Sequence, residues 1–483
     1  MSEGDRLRHR DGLPARLVAW FGRIGTALVV LLLVAAFVAD GLDLAHRWGI
    51  APPDPRDDPA AVAPPPGLDL PSPVPAAAVA PALDGGRLDP SAVSRALGGL
   101  TRARRLGPRV SVLVAGPDGR PVHAQGPRLV TPASTLKLLT CLAALKVLGP
   151  EHRFTTSVVR RPGRVVLVGG GDPLLTTRAD DDYPQEADLT TLAKQTALAL
   201  DKKHRTTVRL GYDDSLFAGP SVDPSWEPDY VSTDVVSPIT ALWVDEGRER
   251  PHLTSRSADP SLAAAGDFAA LLRRQGVTVV GAPQHTTVPG SAPEVASVRS
   301  AALVEIVQHI LEVSDNEGAE VLSRQVGLAE GRPGSFAGGS SAVQAVLHRL
   351  GVPLPGAVIH DGSGLSRSDR VPPRALLQVL ALALSKDHPT LSGLVEGLPV
   401  AGFSGSLGYR FADRSAAGLG RVRAKTGTLT GVDALVGEAV GTDGSVMTFV
   451  AVADKVKPQD TLFVRDRLDQ ITSALAGCAC GRH

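Results

Sequence analysis

Three short runs hold side chains that could do chemistry together: Ser134-Thr135-Leu136-Lys137, Ser314-Asp315-Asn316 and Lys425-Thr426-Gly427-Thr428. In the first, a hydroxyl and an amine stand three positions apart, and on a helix such positions share a face. A serine hydroxyl is a weak nucleophile until a base takes its proton. Lys137 is such a base when it is neutral, a state that burial and a second nearby cation favour. A serine in the first helical turn also meets free N–H groups and a dipole that favour negative charge. Lysine is scarce in this chain, nine of its 50 basic residues, so chance Ser-x-x-Lys pairs are few.

The second run has a plain structural reading. Ser314 with Glu317 three positions later forms a capping box for a helix over 318–328. The functional reading makes the Ser314 hydroxyl a proton relay and sets the Asn316 amide on a substrate peptide group, and both readings can hold at once. The third run lies on a strand that ends in a glycine turn. An extended peptide docks on such an edge through main-chain hydrogen bonds. There Lys425 adds positive charge, Thr426 a hydroxyl for a terminal carboxylate, and Gly427 room for close approach. Each run alone is commonly structural. Their conjunction in this order, each on the expected helix, interhelical loop or strand, is much harder to reach by accident.

The surrounding elements are legible from periodicity. Val110 to Ala124 alternates apolar and polar residues around Gly116-Pro117-Asp118-Gly119, a hairpin signal. Thr131 is placed as an N-cap with Pro132 at the first helical position. Leu136, Leu139, Leu142, Ala143 and Val147 give a helical stripe, stopped at Gly149-Pro150. Val165 to Val168 reads as a buried strand before Gly169-Gly170-Gly171-Asp172, which lacks the spacing of a nucleotide loop. Two helices are expected to flank Ser314. Strands follow at 421–424, 434–440 and 446–453, with a turn at 441–444, then a helix over 461–475. The fold class is therefore α+β, helices packed on an antiparallel sheet. Residues 83–158 and 299–477 are assigned to one domain. It is interrupted at 159–298 by a mostly β module with one helix at 263–275. Residues 478–483 form a tail.

The amino terminus has a different composition. Arg6, Arg8, Arg10, Arg16 and Arg23 precede an uncharged run over 24–39. A basic flank before an apolar stretch is an export signal with the basic end inside. We read 1–23 as a cytoplasmic segment and 24–39 as an uncleaved membrane anchor, with a cleaved signal peptide as the alternative. The Pro/Ala-rich stretch over 40–82 is a semi-extended linker that packs no core. The rest then lies outside the cytoplasm. Cys141 reads as a buried thiol, and Cys478 and Cys480 as part of an unstructured end, with pairing as the alternative. A formal net charge of +0 gives no nucleic-acid footprint. With no His-Glu-x-x-His run and no zinc-finger spacing, neither metal nor cofactor is expected.

Ser-x-x-Lys, Ser-Asp-Asn and Lys-Thr-Gly in this order are a known signature of penicillin-binding proteins and class A β-lactamases. Further runs extend the match over roughly residues 85 to 475. They are Gly170-Gly171-Asp172-Pro173, Asp213-Asp214-Ser215-Leu216-Phe217, Val244-Asp245-Glu246-Gly247, Asp361-Gly362-Ser363-Gly364-Leu365-Ser366 and Leu398-Pro399-Val400-Ala401-Gly402. On these residues the chain resembles the class C low-molecular-mass penicillin-binding proteins, peptidase family S13. The resemblance implies a transpeptidase-like domain with an insert between the first two motifs. It implies cleavage of D-Ala-D-Ala bonds in peptidoglycan stem peptides, or of cross-bridges, with β-lactams as inhibitors. Ser134 would be acylated with Lys137 as its base. Ser314 and Lys425 would shuttle protons, and Asn316 would orient the substrate. The N–H groups of Ser134 and Thr428 would form the oxyanion hole. Asp361 to Leu365 would shape the fold beside the site. The gap between the first two motifs is short for the family, which implies a reduced insert. A β-lactamase is the enzymatic alternative, but no Glu-x-x-Leu-Asn pattern follows Ser314. A catalytically silent wall-binding scaffold has no chemical need for both Lys137 and Lys425. A Ser-His-Asp hydrolase would need a Gly-x-Ser-x-Gly elbow that is missing at Ser404 and Ser406.

Overall fold

The computed structural model describes residues 87–179, 183–203, 206–250 and 253–482. The basic segment, the apolar run over 24–39 and the linker over 40–82 lie outside the described residues. Among the described residues no helix is long and apolar enough to cross a membrane.

Helix α1 (Pro90–Leu97) starts where the Asp89 side chain accepts the Ser91 N–H, with proline at the first position. It leads into strands β1 (Arg109–Ala115) and β2 (Pro121–Gln125). A 3-10 turn, Ala133–Leu136, runs directly into α2 (Lys137–Leu148). The next span supplies β3 (Thr155–Arg161), β4 (Arg164–Val168), α3 (Leu189–Asp201), β5 (Thr207–Asp213), α4 (Pro260–Arg274), β6 (Thr278–Val279), β7 (Gln284–His285) and β8 (Glu294–Arg299). Helices α5 (Leu303–Val313), α6 (Asn316–Ala329), α7 (Phe336–Arg349), α8 (Pro373–Leu384) and α9 (Gly393–Glu396) follow. The chain closes with β9 (Val422–Leu429), β10 (Val432–Val440), β11 (Val446–Asp454) and α10 (Thr461–Ala476).

Five strands form an antiparallel sheet in the order β2-β1-β11-β10-β9. Helices cover both of its faces, and the strand period of two divides the side chains between them. Along β11, Val450 and Val452 enter the core shared with α2 and α8. Met447, Phe449, Ala451 and Ala453 face the opposite core with Leu468 and Ile471 of α10. This is why β11 is buried along its whole length. Helix α2 is also buried almost all round, from Lys137 to Leu145. The expected apolar stripe understates this, because α5, α6, α7 and α8 enclose it.

The inserted span forms a second sheet in the order β6-β5-β4-β3-β8, with β7 beside β5. β3 pairs antiparallel with β8, so the chain enters and leaves this module on adjacent strands. The boundary expected at 159 falls inside β3. The module is also less purely β than expected. Helix α3 crosses over between the parallel strands β4 and β5 and was not anticipated. Its cap, Asp188 accepting the Thr191 N–H at 2.8 Å, was the available signal.

Three local expectations are corrected. Strand β9 does not stop before the glycine; it continues through Lys425, Thr426 and Gly427 to Leu429. Pro132 precedes a 3-10 turn and does not open an α-helix. The C-terminal residues are ordered: Asp89 N–H donates to the Cys480 carbonyl at 2.8 Å, Arg482 N–H to the Arg87 carbonyl at 2.7 Å, and Cys478 is bonded to Cys480.

Candidate active site

Ser134 sits in the tight turn that precedes α2. Its neighbour Ala133 has φ +47°, a left-handed conformation that strains any residue with a side chain. Two glycines from other elements make room for this turn. A Cβ on Gly364 would lie 1.9 Å from the Ala133 carbonyl oxygen, and one on Gly427 2.9 Å from the Pro132 carbonyl oxygen. The close approach at Gly427 is therefore made by the nucleophile's own turn, where the sequence suggested substrate. Ser134 is half-buried while Lys137 is wholly enclosed.

The three motifs converge. Lys137 Nζ lies 3.1 Å from Ser134 Oγ, 2.8 Å from Asn316 Oδ1 and 2.9 Å from the Ser363 carbonyl oxygen. Lys425 Nζ donates to Ser314 Oγ at 2.8 Å and to the Thr426 carbonyl at 3.0 Å. Ser314 ends α5 in a left-handed conformation, φ 64°. The helix cap that follows is Asp315, which accepts the Gly318 N–H at 3.0 Å. The capping box expected from Ser314 and Glu317 is thus absent. Glu317 instead pairs with Arg256 of the inserted module at 2.8 Å, and the Ser314 hydroxyl is turned to Lys425.

Strand β9 lies at the edge of its sheet. Ala424 N–H donates outward to the Pro399 carbonyl, and Ala401 N–H donates to the Val422 carbonyl. Main-chain groups alternate along an antiparallel strand, so Thr426 and Thr428 also point their N–H groups away from β10. Among the described residues this cover stops at Ala424, which leaves the edge beyond it open to an extended peptide. Thr426 Oγ1 donates to Ser406 Oγ at 2.9 Å, and Thr428 Oγ1 lies 3.4 Å from Asp433 Oδ1. In the sequence Ser406 stands out only as the place of a missing elbow. Its place beside Thr426 is a long-range contact with no local pattern.

Burial pushes Lys137 down to about 8, against the raising influence of Asp315, Glu320 and Asp361. Burial, reinforced by the charge of Lys137, holds Lys425 well below the ordinary lysine range. Lys425 is thus a buried donor whose charged form burial and Lys137 both disfavour, at a position where the sequence suggested a standing positive charge. Burial raises the thiol of Cys141, behind both lysines, to about 12. Among the described residues Glu246, His309 and Asp315 bring potential ligand atoms within 4.8 Å of one another. Arg248 pairs with Glu246 and the Gly318 N–H with Asp315, so both carboxylates already have partners.

The Asp361 to Ser366 run lies directly behind this centre. Asp361 accepts the N–H groups of Gly364 and Ser366 and the indole N–H of Trp226, the last reaching in from the inserted module at 2.8 Å.

A family model described as the D-Ala-D-Ala carboxypeptidase 3 (S13) family matches residues 117–258 and 248–475. The chain belongs to this family. Among similar curated proteins, carboxypeptidase DacB of Mycolicibacterium smegmatis is 34% identical over 84% of this chain and 91% of its own length. A carboxypeptidase of Mycobacterium tuberculosis is 35% identical over 73% of this chain and 76% of its own. The crystal structure of penicillin binding protein 4 from Haemophilus influenzae superposes with a TM-score of 0.62 at 21% identity. That match covers 79% of this chain and 98% of that one, and it supports the transpeptidase-like α+β fold.

Proposed function

We propose that Ser134 is the acylated nucleophile of this S13 serine D-Ala-D-Ala carboxypeptidase, with Lys137 as its base. The observation that carries the assignment is the Lys137 Nζ to Ser134 Oγ contact of 3.1 Å inside a site that keeps the amine buried. A stem peptide lies along the open edge of β9, and Thr426, held by Ser406, offers its hydroxyl to the terminal carboxylate. Lys137 takes the Ser134 proton, and the oxygen attacks the carbonyl carbon of the D-Ala-D-Ala bond. The tetrahedral oxyanion is held between the N–H groups of Ser134 and Thr428. The proton held on Lys137 is handed on through Ser314, which Lys425 hydrogen-bonds, to the departing amine, so that Lys137 is neutral again as D-alanine leaves. Asn316 orients the substrate and Gly427 keeps the strand close to the turn. Water then releases the acyl-enzyme by the reverse relay. A β-lactam carries the same acylating carbonyl in a strained ring and is trapped on Ser134. Intact-mass measurement after penicillin treatment tests this: one adduct on the wild type and none on a folded Ser134→Ala variant. An adduct that survives the substitution overturns the nucleophile.

Residues 83–158 and 299–477 are proposed as the DD-peptidase domain around the module at 159–298. Residues 24–39 are proposed as a single membrane anchor, with catalysis outside the cytoplasm where peptidoglycan lies. The five arginines before that uncharged run support the orientation. Full-length protein should remain in washed membranes and be degraded by protease added from outside. Recovery in the soluble fraction at full mass contradicts the anchor.

A further inference from the structure

Two of the three neighbours of Lys137 Nζ are carbonyl oxygens, which only accept. They belong to Asn316, at 2.8 Å, and to the Ser363 main chain, at 2.9 Å. Asn316 Nδ2 donates to the Val235 carbonyl, 3.4 Å away, which turns Oδ1 toward the lysine. A neutral amine has two N–H bonds and one lone pair. With both N–H bonds committed to these carbonyls, the lone pair faces Ser134 Oγ, the orientation a general base needs. The Ser363 carbonyl therefore does half the aiming, and Glu320 fixes that carbonyl. Glu320 is 1% exposed, and its two oxygens accept the N–H groups of Gly362 at 2.9 Å and Ser363 at 2.7 Å. It stands four positions after Asn316 on α6, on the same face. One helix thus controls both acceptors. Thr140 of α2 holds the same loop from the other side, donating to the Gly362 carbonyl at 2.7 Å.

We propose that Glu320 is a positioning residue for acylation: its carboxylate clamps the Gly362–Ser363 amides so that the Ser363 carbonyl occupies one N–H of Lys137 and leaves the lone pair on Ser134. The proposal rests on Lys137 being the base for Ser134. Lys137 is faced by Asp315, Glu320 and Asp361, with Lys425 and Cys141 beside it. Burial, then Asp361, raises Glu320 to about 8 against the Gly362 and Ser363 hydrogen bonds, so its charge develops across the same pH range as the acid limb; Asp369, Arg324 and Lys137 also face it. The clamp and the charge are separable. Glu320→Gln keeps the shape but turns an NH2 group against a backbone N–H and removes the negative charge. Glu320→Asp keeps the charge but is one methylene too short to reach both amides.

The experiment is the rate of covalent labelling by penicillin as a function of pH, for the wild type and both variants, with melting temperatures alongside. Glu320→Gln is expected to label ~10-fold to ~100-fold more slowly, the cost of a misaimed base. Its rising acid limb should move to lower pH, because the ammonium has lost a stabilising charge. Glu320→Asp should also label more slowly, with its acid limb at the wild-type position. A Glu320→Gln protein with wild-type rate and limb overturns the proposal, as does a slow one with an unmoved limb and a matching fall in melting temperature. If Glu320→Gln does not fold, Glu320→Asp decides, and a wild-type rate there is equally fatal. A wild type that takes no adduct would instead sink the Ser134 reading beneath it.

Discussion

Lys137 and Lys425 are both fully buried in one site, yet their surroundings differ in kind. Burial lowers Lys137, but Asp315, Glu320 and Asp361 surround it and keep its charged form accessible near neutral pH. Burial also lowers Lys425, and the charge it meets first is the cation of Lys137, with no carboxylate acting on it. Two amines of one residue type are thus pushed to different protonation behaviour by their environments, the usual way a site divides acid and base duties. Lys137 can accept a proton and hold it. Lys425, whose charged form burial and Lys137 both disfavour, suits a relay that passes a proton through Ser314.

Substituting the two lysines separately gives the largest effect. Lys137→Ala should slow penicillin labelling by ~100-fold to ~10,000-fold, the range of a lost general base. Lys425→Ala should cost less in that first step, because the relay acts on the departing group. Stopped-flow labelling rates check this, and a larger loss at Lys425 would reverse the assigned duties. Next in size is the pH dependence of the wild type. Labelling needs neutral Lys137, so its rate should climb with pH and level off above about 8. A rate that falls across that interval contradicts the base. The smallest effect is on stability. In the folded protein Lys137 loses its proton near 8, below its unfolded value of 10.5. Between those values the unfolded chain binds the extra proton, so the wild type gains stability as pH rises through that window. Below it the penalty of burying the charge is fully present. Compared with Lys137→Met, the wild type should therefore look relatively better at pH 10 than at pH 7 in thermal melts.

The same contrast shows what the sequence could carry. Ser134 with Lys137 was legible because a helical spacing of three enforces their proximity. The sheet strands and the helices around Ser314 followed from periodicity. Contacts between distant segments were not legible. Nothing near Lys425 in the chain announces that Lys137 and Cys141 lie against it, so the pressure on its charge is not legible locally. Ser314 and Glu317 satisfied a capping pattern, yet Asp315 makes the cap because Arg256, 61 positions earlier than Glu317, claims that glutamate. Helix α3 was legible but passed over: Leu189, Leu192, Ala193, Ala197 and Leu200 form a helical stripe behind the Asp188 cap. Glu320 and the Ser363 carbonyl act through a loop 43 positions away, and no local pattern encodes that distance.

The most direct measurement is intact-mass spectrometry of the folded body after penicillin treatment, beside the Ser134→Ala variant. The account predicts a single stable adduct on the wild type and an unmodified variant that melts like the wild type. An adduct on the variant, or none on a folded wild type that leaves the drug intact, would contradict it.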